Sequence, residues 1–207
     1  MSLGHTNAPV ETLQDAVLVG ATGFTHLGNG CPRELDRHDN IFWRVFDTPH
    51  ITVSLIPDKI HVSPSFFRLV HRTVGNDHVF YTTDAMAAAG APPGRYKIGK
   101  LELEVGPDQI VRQPGKPLFA GSALRPVDGV FRAAEMLKCS WQEAWARFSE
   151  APATFMGLQN QLAVQQPANF CVLKVIGQNQ LVDLKVYFDG GTESVESKGE
   201  TKSLTKA

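Results

Sequence analysis

Residues 23–30, Gly23-Phe24-Thr25-His26-Leu27-Gly28-Asn29-Gly30, read as a short strand (Gly23 to Leu27) that carries a histidine near its end and runs into a glycine-rich loop. The same design recurs downstream. Ile51 to Ile56 (ITVSLI) is an apolar strand followed by Asp58 and His61, and Val79 to Asp84 (VFYTTD) is a strand closing on an aspartate. Helical patterns lie between these runs. Pro9 opens one with Val10, Leu13 and Val17 on its apolar face, and Ser63 caps another with Pro64 at its first position and Phe66, Phe67, Leu69 and Val70 inward. Strand and helix in alternation predict an α/β fold of β/α units on a parallel sheet. In such folds the C-terminal strand ends carry the chemistry. Here those ends offer His26, Asp58 with His61, and Asp84, and Met1-Ser2-Leu3 reads as the tail of a further strand leading to Gly4-His5.

Beyond Asp84 the pattern changes. Tyr96 to Gln113 alternates apolar and polar residues around Gly106-Pro107-Asp108, which predicts a β-hairpin inserted near 96–113. Pro126 to Lys138 is an amphipathic helix, and Ser140 with Glu143 forms a capping box for the next one. Phe170 to Ile176 and Leu181 to Phe188 predict a second hairpin across Gly177-Gln178-Asn179. Residues 189–207 turn to Gly, Ser, Thr, Glu and Lys, with too little apolar surface to offset ordering entropy, so a disordered tail is expected there.

The bulk numbers exclude several classes. With a net charge of −1 and lysines and arginines scattered among 207 residues, no nucleic-acid partner is expected. Cys31, Cys139 and Cys171 are odd in number and far apart, which fits a reducing compartment better than a disulfide framework or a thiolate zinc cage. No apolar run has the length of a membrane helix and no signal peptide is visible, so a soluble, cytoplasmic protein is expected, with no membrane partner.

Each polar strand end taken alone has a bland reading, a satisfied histidine or a helix cap. Four of them in order predict a convergent site, since neutral imidazoles suit zinc or a similar divalent ion and a nearby carboxylate can handle protons. The motifs then become specific. Residues 4–8 (GHTNA) match Gly-His-(Ser/Thr)-(Asn/Asp)-Ala, residues 25–29 match Thr-His-Leu-X-Asn, and residues 58–62 (DKIHV) match Asp-Gly-X-His-Val except at Lys59. Residues 83–86 (TDAM), 121–124 (GSAL) and 151–158 (APATFMGL) continue the series, and 21 positions separate His5 from His26. Over about 155 residues, 4–158, the chain resembles the C-terminal part of the N-acetylglucosamine-6-phosphate deacetylases of the amidohydrolase superfamily.

That resemblance implies a partial (β/α)8 TIM-type barrel, its last strands only, over residues 1–158, with a remnant of a small β-sandwich at 159–188. It implies metal-dependent removal of acetate from N-acetylglucosamine 6-phosphate, with His5 and His26 as ligands to zinc, or to iron or another divalent metal. Asp84 becomes the general base and acid. Asn29 and Gly30 would hold the sugar phosphate through backbone N–H groups, and His61, Arg37 and the Phe119-Ala120-Gly121 backbone would contact substrate, with Arg37 reaching a neighbouring subunit of a homodimeric parent. The small-molecule partner is an amino-sugar phosphate. A further metal-binding glutamate of the family lies upstream of Met1, so this chain by itself is expected to be inactive. Two alternatives stand beside the deacetylase: a non-catalytic remnant that binds a partner, and another amidohydrolase on the same metal frame. Lys59 in place of a glycine, Gly30 in place of an alanine, and the departures at 36–40 keep substrate identity less constrained than family.

Overall fold

The computed structural model describes residues 1–116, 119–159 and 162–188, and the backbone of 191–195. A four-stranded, all-parallel sheet organises its first half: β1 (Ser2–Leu3), β2 (Gly23–Phe24), β3 (Thr52–Leu55) and β4 (Val79–Tyr81), adjacent in chain order. One helix fills each crossover: α1 (Val10–Leu18), α2 (Ile41–Asp47) and α3 (Pro64–Val74). The expected α/β alternation is therefore present, with strands shorter than the apolar runs suggested because the chain leaves the sheet before each polar residue.

Helix α3 shows how local sequence sets packing. The Ser63 side chain accepts from Phe66 N–H, Pro64 occupies the first turn, and Gly75 ends the helix. Phe67, Val70 and His71 face inward, whereas Leu69, expected in the core, is exposed. The reason is helical phase: Phe67 and His71 are four residues apart and share a stripe that leaves Leu69 outside it. Helix α2 was not anticipated. Its start is specified by Asn40, whose Oδ1 accepts from Phe42 and Trp43 N–H.

Helices α4 (Pro126–Leu137), α5 (Trp141–Ala146) and α6 (Glu150–Phe155) follow, and the Ser140–Glu143 capping box forms as its spacing predicts. Leu13, Phe24, Val53, Leu55, Phe67, Val70, Val130 and Ala134 pack into one apolar core between sheet and helices. Residues 94–112 differ from the expected hairpin. They form three antiparallel strands, β5 (Gly94–Ile98), β6 (Leu101–Val105) and β7 (Val111–Arg112), because Gly99-Lys100 makes a turn inside the run that alternation alone treats as one strand. Leu103, Val105 and Val111 seat this piece on Met86, Ala88 and Ala123, in a second small core.

The C-terminal hairpin, β8 (Phe170–Ile176) and β9 (Gln180–Phe188), is present, with Phe170 stacked on Tyr187 at 4.5 Å. The expected disordered tail needs correction at Gly191–Val195, which adds strand β10 to β9. Backbone pairing at a sheet edge does not require apolar side chains, which the composition argument overlooked. The rest of that expectation, at 189, 190 and 196–207, lies outside the described residues. No described helix is long and apolar enough to cross a membrane.

His71 makes the core sensitive to pH. Its Nδ1–H donates to Asn76 Oδ1 at 3.1 Å and its Nε2 accepts from Tyr81 Oη at 3.1 Å, a pattern only the neutral ring satisfies. Burial, opposed by the Asn76 bond and reinforced by the charge of Arg147, lowers its pKa from 6.5 to about 4. The unfolded chain therefore binds more protons between these values, and stability rises with pH through that window. Urea unfolding should show full stability above pH 6.5 and a progressive loss toward pH 4, up to about 3 kcal/mol. His71→Gln should flatten that slope.

Candidate active site

The parallel register brings the polar strand ends together. Leu3 pairs with Phe24, so His5 and His26, each two residues beyond its strand, leave the sheet side by side. Leu55 pairs with Tyr81 at the end of β3 and β4, and Asp58 and Asp84 each follow three residues beyond their own strand. His5 (φ 50°), His26 (φ 33°), Lys59 (φ 64°) and Asp84 (φ 49°) all adopt left-handed backbone, each just past a strand. For non-glycine residues this conformation costs about 1–2 kcal/mol apiece, and such strain gathers where a side chain must be aimed.

The two imidazoles meet edge to face, with Nε2 to Nε2 at 3.1 Å. His26 is 8% exposed and its backbone N–H donates to Ser54 Oγ at 2.8 Å, so strand β3 fixes the turn that carries it. Burial pushes His26 below the usual imidazole range, opposed by the charge of Asp84 and aided by those of His5 and His61. Of these groups His5 touches the ring, while Asp84 and His61 act on it through their charges.

His5 depends on two neighbours. Gly30, at φ +65°, lies beneath its ring so closely that a Cβ there would fall 2.5–2.8 Å from the imidazole atoms. Arg44, held by Asp39 at 2.6 Å, donates to the carbonyls of Asn7 (3.2 Å) and Ala8 (2.9 Å), tying the loop after His5 to α2.

His61 is held by Asp58. Its Nδ1 lies 2.6 Å from Asp58 Oδ2, both side chains nearly buried, while Asp58 Oδ1 accepts from the backbone N–H groups of Ile60 and His61 at 2.8 Å each. Burial alone would raise the Asp58 carboxyl, but the bonds from His61 and the backbone outweigh it and hold it below the ordinary carboxylate range. The His61 ring packs edge-on against Phe119 at 5.3 Å. Phe119 and Ala120 are set by pairing with Arg112 and Val111, and a Cβ on Gly121 would lie 3.1 Å from the Asp84 carbonyl. Ser122 N–H donates to that same carbonyl at 2.8 Å, closing the loop on Asp84.

Most expected site residues thus converge: His5, His26, His61, Asp84, Gly30 and the 119–121 loop. Two depart from expectation. Asn29 N–H closes a turn onto the His26 carbonyl at 3.0 Å, so it is committed locally and, of the two amides expected to face a phosphate, only Gly30's is uncommitted among the described residues. Arg37 is exposed; its carbonyl accepts from Trp43 Nε1 at 3.1 Å, and no described bond joins its guanidinium to the cluster. Sequence reasoning named Asp58 at a strand end and Ser122 within a motif without giving either a task, and it passed over Ser54. For Ser54 a signal existed: a lone hydroxyl inside the apolar run ITVSLI.

As a metal site the cluster fits in part. Two nitrogens on a tetrahedral ion with bonds of ~2.0–2.1 Å sit roughly 3.3 Å apart, close to the spacing of His5 and His26. The buried His26 Nδ1 has no partner among the described residues. A third donor is not in place, since no described group of three or more His, Cys, Asp or Glu residues could hold a metal ion.

No family model matches the chain. It is 28% identical over 195 residues, 92% of the chain and 48% of the relative, to the N-acetylglucosamine-6-phosphate deacetylase of Vibrio furnissii. It is 30% identical over 156 residues, 75% of the chain and 39% of the relative, to the N-acetylgalactosamine-6-phosphate deacetylase of Shewanella sp. strain ANA-3. A crystal structure of a mutant Mycobacterium smegmatis N-acetyl-D-glucosamine-6-phosphate deacetylase, in complex with N-acetyl-D-glucosamine-6-phosphate, superposes with a TM-score of 0.79 at 27% identity, covering 92% of the chain and 50% of that structure. The chain spans about half the length or less of the relatives it matches.

Gly30→Ala tests the packing of this cluster. The left-handed backbone should cost about 1–2 kcal/mol in urea unfolding, and the added Cβ should push the His5 ring off His26. A crystal structure of the variant with the 3.1 Å contact intact would show that Gly30 does not set the position of His5.

Proposed function

Because the chain is a relative of the N-acetylglucosamine-6-phosphate deacetylases, matching part of that enzyme's length, we propose that this cluster serves metal-dependent hydrolysis of the acetamide of N-acetylglucosamine 6-phosphate. The observation that carries this reading is the in-register pair His5–His26 at 3.1 Å, with Asp84 past the end of β4 in the same parallel sheet and its charge acting on His26. On this reading the four parallel strands are the last strands of an eight-stranded (β/α)8 barrel over residues 1–158. Residues 159–188 belong to a small β-sandwich.

His5 and His26 hold the ion, zinc by preference because both are imidazoles, with iron or another divalent metal as the alternative. When bound, it supplies Lewis-acid polarisation of the amide carbonyl and acidifies water. Burial lowers the His26 pKa, which favours the neutral ring and its lone pair. Asp84 takes a proton from the attacking water as the oxygen–carbon bond forms. It then returns the proton to the amine nitrogen as the carbon–nitrogen bond breaks, leaving acetate and an amino sugar phosphate. The amide of Gly30 and the 119–121 backbone contact substrate, with His61 beside them. Arg37, exposed and outside the cluster, serves a second subunit of a homodimer.

The N-acetylgalactosamine 6-phosphate isomer is a second reading, carried by the Shewanella relative. Acetate release should be measured on both sugars. This chain alone, given zinc, should release none, because catalytic zinc sites usually take three protein ligands and the described residues bring two together. In a protein that joins it to the upstream half of such a deacetylase, Asp84→Asn should lower kcat by about 10²–10⁴-fold while metal content stays unchanged. Unaltered kcat in that variant would sink the assignment of Asp84, and zinc-dependent turnover by the chain alone would sink the claim that two ligands are too few.

A further inference from the structure

The proposed hydrolysis leaves Asp58 without a task, although it is among the most completely bonded carboxylates in the molecule. Its Oδ1 accepts two backbone N–H groups, from Ile60 and His61, and Oδ2 lies 2.6 Å from His61 Nδ1. Its carbonyl accepts from Arg132 Nη1 at 3.2 Å, and Lys59, the next residue, turns left-handed and pairs with Glu135 at 2.6 Å. The carboxylate is therefore fixed in position and orientation before any ligand arrives.

We propose that Asp58 is a positioning residue that sets the tautomer of His61, so that His61 presents a ring-nitrogen lone pair to the cleft and recognises a hydroxyl donor on the substrate. An ionised carboxylate only accepts hydrogen bonds. With both Asp58 oxygens acting as acceptors, the ring proton of neutral His61 must sit on Nδ1. Nε2 then bears the lone pair, and it bonds to no described residue. The ring stands edge-on to Phe119 in the 119–121 loop of the candidate active site, and its charge acts on His26. A sugar hydroxyl is the donor such an acceptor fits. This recognition step rests on the deacetylase reading; the tautomer does not.

Substitution of Asp58 by asparagine makes a sharp test, because the backbone dictates which way the amide faces. Two N–H groups point at Oδ1, so the amide oxygen of Asp58→Asn must stay there and its NH₂ must replace Oδ2. The NH₂ donates to His61 Nδ1, which forces the ring proton onto Nε2. The shape of the site is kept while an acceptor becomes a donor.

Long-range ¹H–¹⁵N spectra of the imidazoles in this chain, at a pH where His61 is neutral, report the tautomer directly. The unsubstituted chain should show a protonated Nδ1 and Asp58→Asn a protonated Nε2, with matching amide dispersion to show that the fold is kept. A protonated Nε2 in the unsubstituted chain overturns the proposal even if the variant fails to fold. In the joined protein described above, Asp58→Asn should raise KM about ten-fold or more, the scale of a lost hydrogen bond with a mismatched polar group, and change kcat less. Among monodeoxy analogues of the sugar phosphate, one should bind more weakly than substrate to the unsubstituted enzyme and no more weakly than substrate to the variant. If no analogue behaves so, hydroxyl recognition by His61 is wrong. If acetate release is absent while the tautomers are as stated, the deacetylase reading falls and the role of Asp58 in setting the tautomer stands.

Discussion

The constraint on which the site depends is the parallel register of β1 with β2. A 21-residue offset pairs Leu3 with Phe24 and so delivers His5 and His26 from adjacent strands at the same height. In a parallel ladder a one-residue slip would send one imidazole to the opposite face, since side chains alternate with period two. The register is secured by packing: Phe24, Val53 and Leu55 lie in the apolar core, and a slip would turn them away from it. Hydrophobic packing on one face thereby fixes polar geometry at the strand ends.

Strain and charge are then balanced locally. Three candidate residues, His5, His26 and Asp84, occupy left-handed backbone, at a combined expense that the surrounding bonds must offset. His26 N–H finds Ser54, the Asp84 carbonyl finds Ser122, and Arg44 gathers the carbonyls beyond His5. Burial favours the neutral form of His26, while hydrogen bonds favour the ionised Asp58 carboxyl. Burial drives the first shift and opposes the second, in residues that follow the adjacent strands β2 and β3. One group is desolvated with its Nδ1 unpartnered, and the other is desolvated but supplied with three donors.

Alternation of apolar strands with helical patterns, and a polar residue past each strand, made the parallel sheet and the His5, His26, His61 and Asp84 cluster legible in the sequence. Caps were legible where side chain and spacing act together, as in Ser63-Pro64 and Ser140-Glu143. What escaped was decided by interactions of another kind. Helix α2 follows a loop rich in charge, and its one signal is the Asn40 cap. The turn at Gly99-Lys100 hides inside an unbroken alternation. Strand β10 is held by backbone pairing, to which composition is blind. The engagement of Asn29 N–H by His26 O is a choice between two hydrogen bonds that no residue identity reveals.

The arrangement also bears on how a metal would be selected. Both imidazoles are placed by contacts within this chain: His26 through Ser54 and the core, His5 through the gap above Gly30 and the Arg44 clasp. Their spacing is therefore a property of the protein before an ion is present, and ordering them at the moment of binding costs little. Such preorganisation favours ions whose bond lengths suit the preset gap over ions that would have to pull the rings apart. It does not complete the donor set. On the proposed reading, affinity in a two-ligand frame would be limited by the missing third bond, so the frame would contribute geometry and choice of ion while a further ligand would contribute retention.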